Sequence, residues 1–116
     1  MKRIYIAGPM SGLPDLNFPA FHREAARLRT DGFDVVNPAE INGGAAELVA
    51  MSDMNEQQMA DHWRACMRND IAHLVTCDAI VMLPGWERSR VATLEHHIAK
   101  ALGIAVVCLE REAVAG

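Results

Sequence analysis

Two carboxylates stand where the helical pattern calls for apolar side chains. In "SRVATLEHHIAKALG", residues 89–103, a period of 100° per residue assigns Val91, Leu94, Ile98, Ala99 and Leu102 to one face, and Glu95 falls among them. In the stretch before it, Trp63, Cys66, Met67, Ile71 and Leu74 make an apolar stripe with Asp70 in its middle, while Arg68 and Asn69 point elsewhere. One acid on such a stripe is ordinarily an edge residue or half of an ion pair. Two of them, on helices that flank one strand, point to a shared site. Burying either charge unpaired is costly, so the site must solvate it or raise its pKa. Carboxylates held in this way suit nucleophile and acid/base roles in glycosyl chemistry.

The other chemistry-bearing residues give weaker signals. "GPMSG", Gly8, Pro9, Met10, Ser11 and Gly12, can cradle a phosphate with backbone N–H groups or act simply as a strand-to-helix turn. It has neither the GxGxxG of a dinucleotide site nor the GK[ST] of a P-loop. Trp86 in "PGWERS" either stacks on a base or covers the sheet edge. The histidines of "EHH" diverge by 100°, and His62 and His73 read as separate surface or edge residues, so no metal is expected. Cys66, Cys77 and Cys108 are odd in number, lack CxxC spacing and have no neighbouring His at a convincing spacing. They read as reduced core thiols rather than nucleophiles. No cofactor is expected either.

The elements that must position the acids alternate between strand and helix. Apolar runs at 3–7, 33–37, 78–83 and 104–109 read as strands. A helix after the first carries Phe18, Phe21, Ala25 and Leu28 on one stripe, with Asn17 placed to cap it. A second spans 56–76, and the helix bearing Glu95 is closed by Gly103. Residues 39–55 show no sustained period and read as a long connection with one short helix, of a length often found in lids. The residues after 109 read as a loose tail. Strands apolar throughout, separated by amphipathic helices, predict an open, doubly wound parallel sheet of order 2-1-3-4, Rossmann- or flavodoxin-like. Its switch point lies between strands one and three, where "GPMSG" and "PGWERS" meet.

The whole chain, 1–116, is one domain by length, with a formal net charge of −4. That charge argues against a nucleic-acid polymer as partner. No apolar run approaches the ~20 residues that cross a bilayer, and the N-terminal run is too short for a signal peptide, so a cytoplasmic protein is expected.

Three segments, "IYIAGPMSGLPDLNFPAFHREAARLRTDGFDVVNPAEI", "RNDIAHLVTCDAIVMLPGWERS" and "LEHHIAKALGIAVV", resemble the nucleoside 2-deoxyribosyltransferase superfamily. Within it they are most similar to the small DUF4406-type branch, related to 2′-deoxynucleoside 5′-phosphate N-hydrolases. The resemblance covers nearly the whole chain. It implies that Glu95 is the nucleophile at C1′ of the sugar, that Asp70 handles the proton and that Tyr5 orients the nucleophile. It places Ser89 on a 5′-phosphate, at a helix start where N–H groups and the dipole favour an anion. The implied function is cleavage or transfer of the N-glycosidic bond of a nucleoside or its 5′-monophosphate through a covalent glycosyl-Glu95 intermediate. Water as acceptor makes a hydrolase, and a second base makes a transferase. Gly8 to Gly12, Trp86 and Ser89 are the expected substrate contacts, the partner is a small-molecule nucleoside or nucleotide, and a homo-oligomer is implied. Arg90, Val91 and Thr93, which fill the stretch between Ser89 and Glu95, leave open a non-catalytic nucleotide-binding or regulatory module on the same fold.

Overall fold

Short runs rich in β-branched and apolar residues form the four strands, β1 (Arg3–Ala7), β2 (Asp34–Val36), β3 (Ala79–Met82) and β4 (Ala105–Cys108). In the computed structural model, which describes residues 2–110, all pairings are parallel and the order is β2-β1-β3-β4, as the apolar strands predict. Tyr5 stands beside Val36 on one side and Ile80 on the other, and Met82 pairs with Cys108. Residues 111–116, most of the expected tail, lie outside the described residues.

Alternation along each strand divides the core between the two faces of the sheet. Ile4, Ile6, Val35 and Val81 lie under α1 (Phe18–Thr30), which covers them with its predicted stripe of Phe18, Phe21, Ala25 and Leu28. Tyr5, Ala7, Ile80 and Met82 pack with Leu74 of α4 (Glu56–Leu74) and with Ala92 and Ala99 of α5 (Arg90–Ala101). Each large apolar side chain buried in this way contributes about 1.5–3 kcal/mol. A capping box starts α4: Asn55 Oδ1 accepts from the Gln58 amide at 2.8 Å and Gln58 Oε1 from the Asn55 amide at 2.9 Å.

Several expectations are corrected. The buried face of α5 is centred on Ala92, Glu95 and Ala99, while Leu94 and Leu102 are 41% and 57% exposed. Leu94 lies one residue, a turn of 100°, off Glu95, and Leu102 is the C-cap residue beyond the last turn. Residues 39–55 hold most of α2 (Pro38–Ile41) and all of α3 (Ala45–Ser52), two helices broken by Gly43 and Gly44, both at positive φ. Each helix is too short to display a period. Asn17 occupies the N-cap position of α1 without capping it. Its left-handed backbone, φ +59°, turns the side chain away from the first turn, and Nδ2 donates to the Pro9 carbonyl at 2.9 Å, tying down the loop after β1. Of the cysteines only Cys77 is buried; Cys66 is half-buried, and Cys108 on the edge strand is exposed.

Gly8 follows β1 directly and lies against Leu83. A Cβ there would stand 2.7 Å from the Leu83 Cβ, closer than packing allows. Gly8→Ala is therefore expected to destabilise the fold by about 1–3 kcal/mol, read as a lower midpoint in urea unfolding.

Candidate active site

The carboxyl ends of β1, β2 and β3 open into one cleft, as the switch point requires. Small side chains at Ala92 and Ala99 let α5 lie close to the sheet, and this brings Glu95 over β1. The Tyr5 hydroxyl, on a fully buried ring, donates to Glu95 Oε2. Glu95 is 2% exposed. Asp70 comes from the C-terminal half of α4, 6% exposed, as its place on the stripe predicts. Asn42, just after α2, donates Nδ2 to Asp70 Oδ1 at 2.7 Å, and Asn69 donates to Asn42 Oδ1 at 3.0 Å. Asn69 thus serves this network rather than pointing away from it.

Both carboxyls line a cavity of ≈ 140 Å³ with Gly8, Ser11, Ser89 and Met67. It adjoins an outer chamber of ≈ 630 Å³ through Met10, Ser11, Trp63, Ser89 and Val91, which line both spaces. The outer chamber adds Pro9, Gly85, Arg88 and Arg90. Arg90 lies over the Trp63 ring, 4.7 Å from its centroid, so α4 and α5 meet at this mouth. Ser89 caps α5 by accepting the Ala92 amide at 3.1 Å, leaving its hydroxyl hydrogen free to donate.

Burial pushes the Glu95 carboxyl up to about 8; the Tyr5 hydrogen bond opposes that rise and the Asp70 charge adds to it. Burial likewise lifts Asp70 to about 6, against the hydrogen bond from Asn42 and with the Glu47 charge. Tyr5 is held well above its ordinary value, first by burial and then by the Glu95 charge, so it stays a donor. Near neutrality the two carboxyls therefore hold one proton between them, mainly on Glu95.

Of the residues that sequence reasoning assigned, Asp70, Glu95, Gly8, Met10, Ser11 and Ser89 line the inner cavity, and Pro9 joins them in the outer chamber; Tyr5 is buried behind Glu95 and meets it through its hydroxyl. Gly12 and Trp86 line neither space. Trp86 stacks on His96, with centroids 4.3 Å apart and planes at 22°. Asn42, Glu47 and His62 line the cavity without having been singled out for it. The first two lie in the segment with no period, whereas the spacing of His62 to Cys66 and Asp70, four and eight residues, placed it on the same face of α4. His62 is thus not a separate surface residue. Its Nε2 lies 2.9 Å from Glu47 Oε1 and 3.5 Å from Cys66 Sγ, so Cys66 does have a neighbouring histidine. Burial and the Glu47 charge push the Cys66 thiol up to about 12, which fits the expectation that it is not a nucleophile.

Among the described residues no helix is long and apolar enough to cross a membrane. No curated protein sequence matches the chain. Among solved structures, a 2-deoxyribosyltransferase from the psychrotolerant bacterium Bacillus psychrosaccharolyticus is similar at TM-score 0.68 and 17% identity, over 93% of this chain and 72% of that one. A conserved protein from Enterococcus faecalis V583 is similar at TM-score 0.59 and 26% identity, over 97% of this chain and 65% of that one. The chain thus spans about two thirds of the length of the second and somewhat more of the first. The likeness to the first shows a shared fold. Residues 2–108 match the family described as "Domain of unknown function (DUF4406)", and with nearly the whole chain matched, the protein belongs to the DUF4406 family on a 2-deoxyribosyltransferase-like fold.

Proposed function

We propose that the protein cleaves or transfers the N-glycosidic bond of a nucleoside or nucleoside 5′-monophosphate, with Glu95 as nucleophile and Asp70 as acid. The observation that carries this is the pair of buried carboxyls facing one cavity at the carboxyl ends of the central strands. The fold shared with a 2-deoxyribosyltransferase supports the choice of substrate class. With Glu95 at about 8 and Asp70 at about 6, the single proton rests mainly on Glu95 before substrate enters. It moves to Asp70 in the reactive complex, and from Asp70 to the departing base as the C1′–N bond breaks. A bond from Glu95 to C1′ forms, giving a glycosyl ester. Water then attacks C1′ while Asp70 takes its proton and the C1′–Glu95 ester bond breaks, returning the Glu95 carboxylate; in transfer, a nitrogen of a second base makes the same displacement.

Ser89 at the start of α5, with Arg88 and Arg90 beside it in the outer chamber, supports a 5′-monophosphate as the preferred substrate and therefore hydrolysis. Gly8, Pro9, Met10 and Ser11 form the facing wall in this reading. A homo-oligomer and a cytoplasmic location belong to the same proposal. The experiment is incubation with a panel of nucleosides and monophosphates, with released base separated by chromatography. Base released from at least one member, and faster from its monophosphate, is the expected outcome; no release from any member overturns the reading. Tight calorimetric binding without release favours the second reading, a non-catalytic nucleotide-binding module. The observation behind that alternative is the Arg90 and Val91 side chains in the opening.

Tyr5→Phe separates orientation from packing. The ring keeps its place while Glu95 loses its hydroxyl donor, so base release is expected to fall about ten- to a hundredfold with near-UV circular dichroism unchanged.

A further inference from the structure

One side-chain cluster in the cleft has no part in the glycosyl chemistry above. Glu47 of α3 meets His62 and Cys66, which stand one turn apart on α4. One ligand atom from each lies within 4.8 Å of the others. The separations are 2.9 Å from His62 Nε2 to Glu47 Oε1, 3.5 Å from Cys66 Sγ to Nε2, and 3.5 Å from Sγ to Oε1. Tetrahedral coordination with metal–sulfur bonds of about 2.3 Å and metal–nitrogen or metal–oxygen bonds of about 2.0–2.2 Å puts ligand atoms about 3.4–3.6 Å apart. Both sulfur edges already have that length, and the third has only to widen by about half an ångström to reach it.

We propose that Glu47, His62 and Cys66 bind a divalent, tetrahedrally coordinated cation of the zinc class, with the fourth position open to the cleft. Three features of the site argue for it. A carboxylate, a thiolate and a neutral imidazole carry two negative charges, which a divalent cation cancels. The donor set, one sulfur, one nitrogen and one oxygen, suits zinc and its surrogates better than the hard cations that take only oxygen. All three side chains line the inner cavity, so a water or a ligand atom can complete the shell from that side. Binding transfers the Sγ hydrogen to solvent as the metal–sulfur bond forms. The ion also ties α3 to α4 beside Asn42 and Asp70, fixing the wall that holds the acid.

The test is titration of the full, untagged chain with cobalt(II) under reducing conditions, followed by displacement with zinc. It reads the metal directly and does not depend on glycosyl chemistry. One equivalent is expected to produce a thiolate-to-cobalt charge-transfer band and the intense visible bands of tetrahedral cobalt, both bleached by zinc. Cys66→Ser is expected to abolish the charge-transfer band, whereas Cys108→Ser, which removes the exposed thiol, leaves it intact. Glu47→Gln keeps the thiolate band and weakens binding by at least about tenfold, which tests the site even if Cys66→Ser fails to fold. Absence of stoichiometric binding overturns the proposal, as does a band that survives in folded Cys66→Ser or an affinity unchanged in Glu47→Gln.

Discussion

Glu95→Gln is expected to slow base release by at least about 10³-fold while leaving the fold intact, because an amide cannot form the glycosyl ester but can still accept the Tyr5 hydroxyl. The same variant has a second, opposite consequence. In the unfolded chain Glu95 loses its proton near its ordinary value of 4.5, in the folded chain near 8. Between those values the folded state holds a proton that the unfolded state has lost. The contribution is therefore fully present below about pH 4.5 and is lost as pH rises to about 8. Asp70, raised from 3.8 to about 6, adds a loss of the same sign over the lower part of that range. Urea unfolding should show the wild type losing stability between about pH 6 and 8, and Glu95→Gln holding nearly level across that window. A variant slower in chemistry and more stable at pH 8 is the signature of a carboxyl kept buried for function rather than for the fold.

Asp70→Asn carries the next largest effect. Base release from the wild type should follow a bell in pH, with limbs near about 6 and 8, since only the singly protonated pair has both a nucleophile and an acid. Asparagine cannot supply the proton, so the rate at the plateau is expected to fall about 10²–10⁴-fold. The bell should collapse to a single ionisation, that of Glu95, moved downward because the Asp70 charge no longer raises it. Rates that fall with the two-limbed profile preserved would assign the proton to another group.

The alternation of apolar strands with amphipathic helices was enough to give the sheet order, because each central strand is buried on both faces and shows it in its residues. Glu95 and Asp70 were legible for the same reason: a carboxylate on an otherwise apolar helical face violates the pattern that packing imposes. Leu94 and Leu102 show the limit of that argument. An apolar residue near the edge of a stripe or beyond the last turn carries the same letter whether it is covered or not. Asn42 and Glu47 escaped because the first follows a helix of four residues and the second sits in one of eight, both too short for a period, with the Gly43–Gly44 break between them. Trp86 was visible as a residue on a crevice loop, but its partner His96 is ten residues on and nothing in the spacing marks their stacking.

The claim that Glu95 attacks the sugar is tested most directly by mass spectrometry of acid-quenched single turnovers. Trypsin should release Val91–Lys100, a peptide in which Glu95 is the only carboxylate side chain. A pentose or phosphopentose mass is expected on that peptide, rising and decaying with base release and absent from Glu95→Gln. Base released on the same time course while the peptide stays unmodified would contradict it.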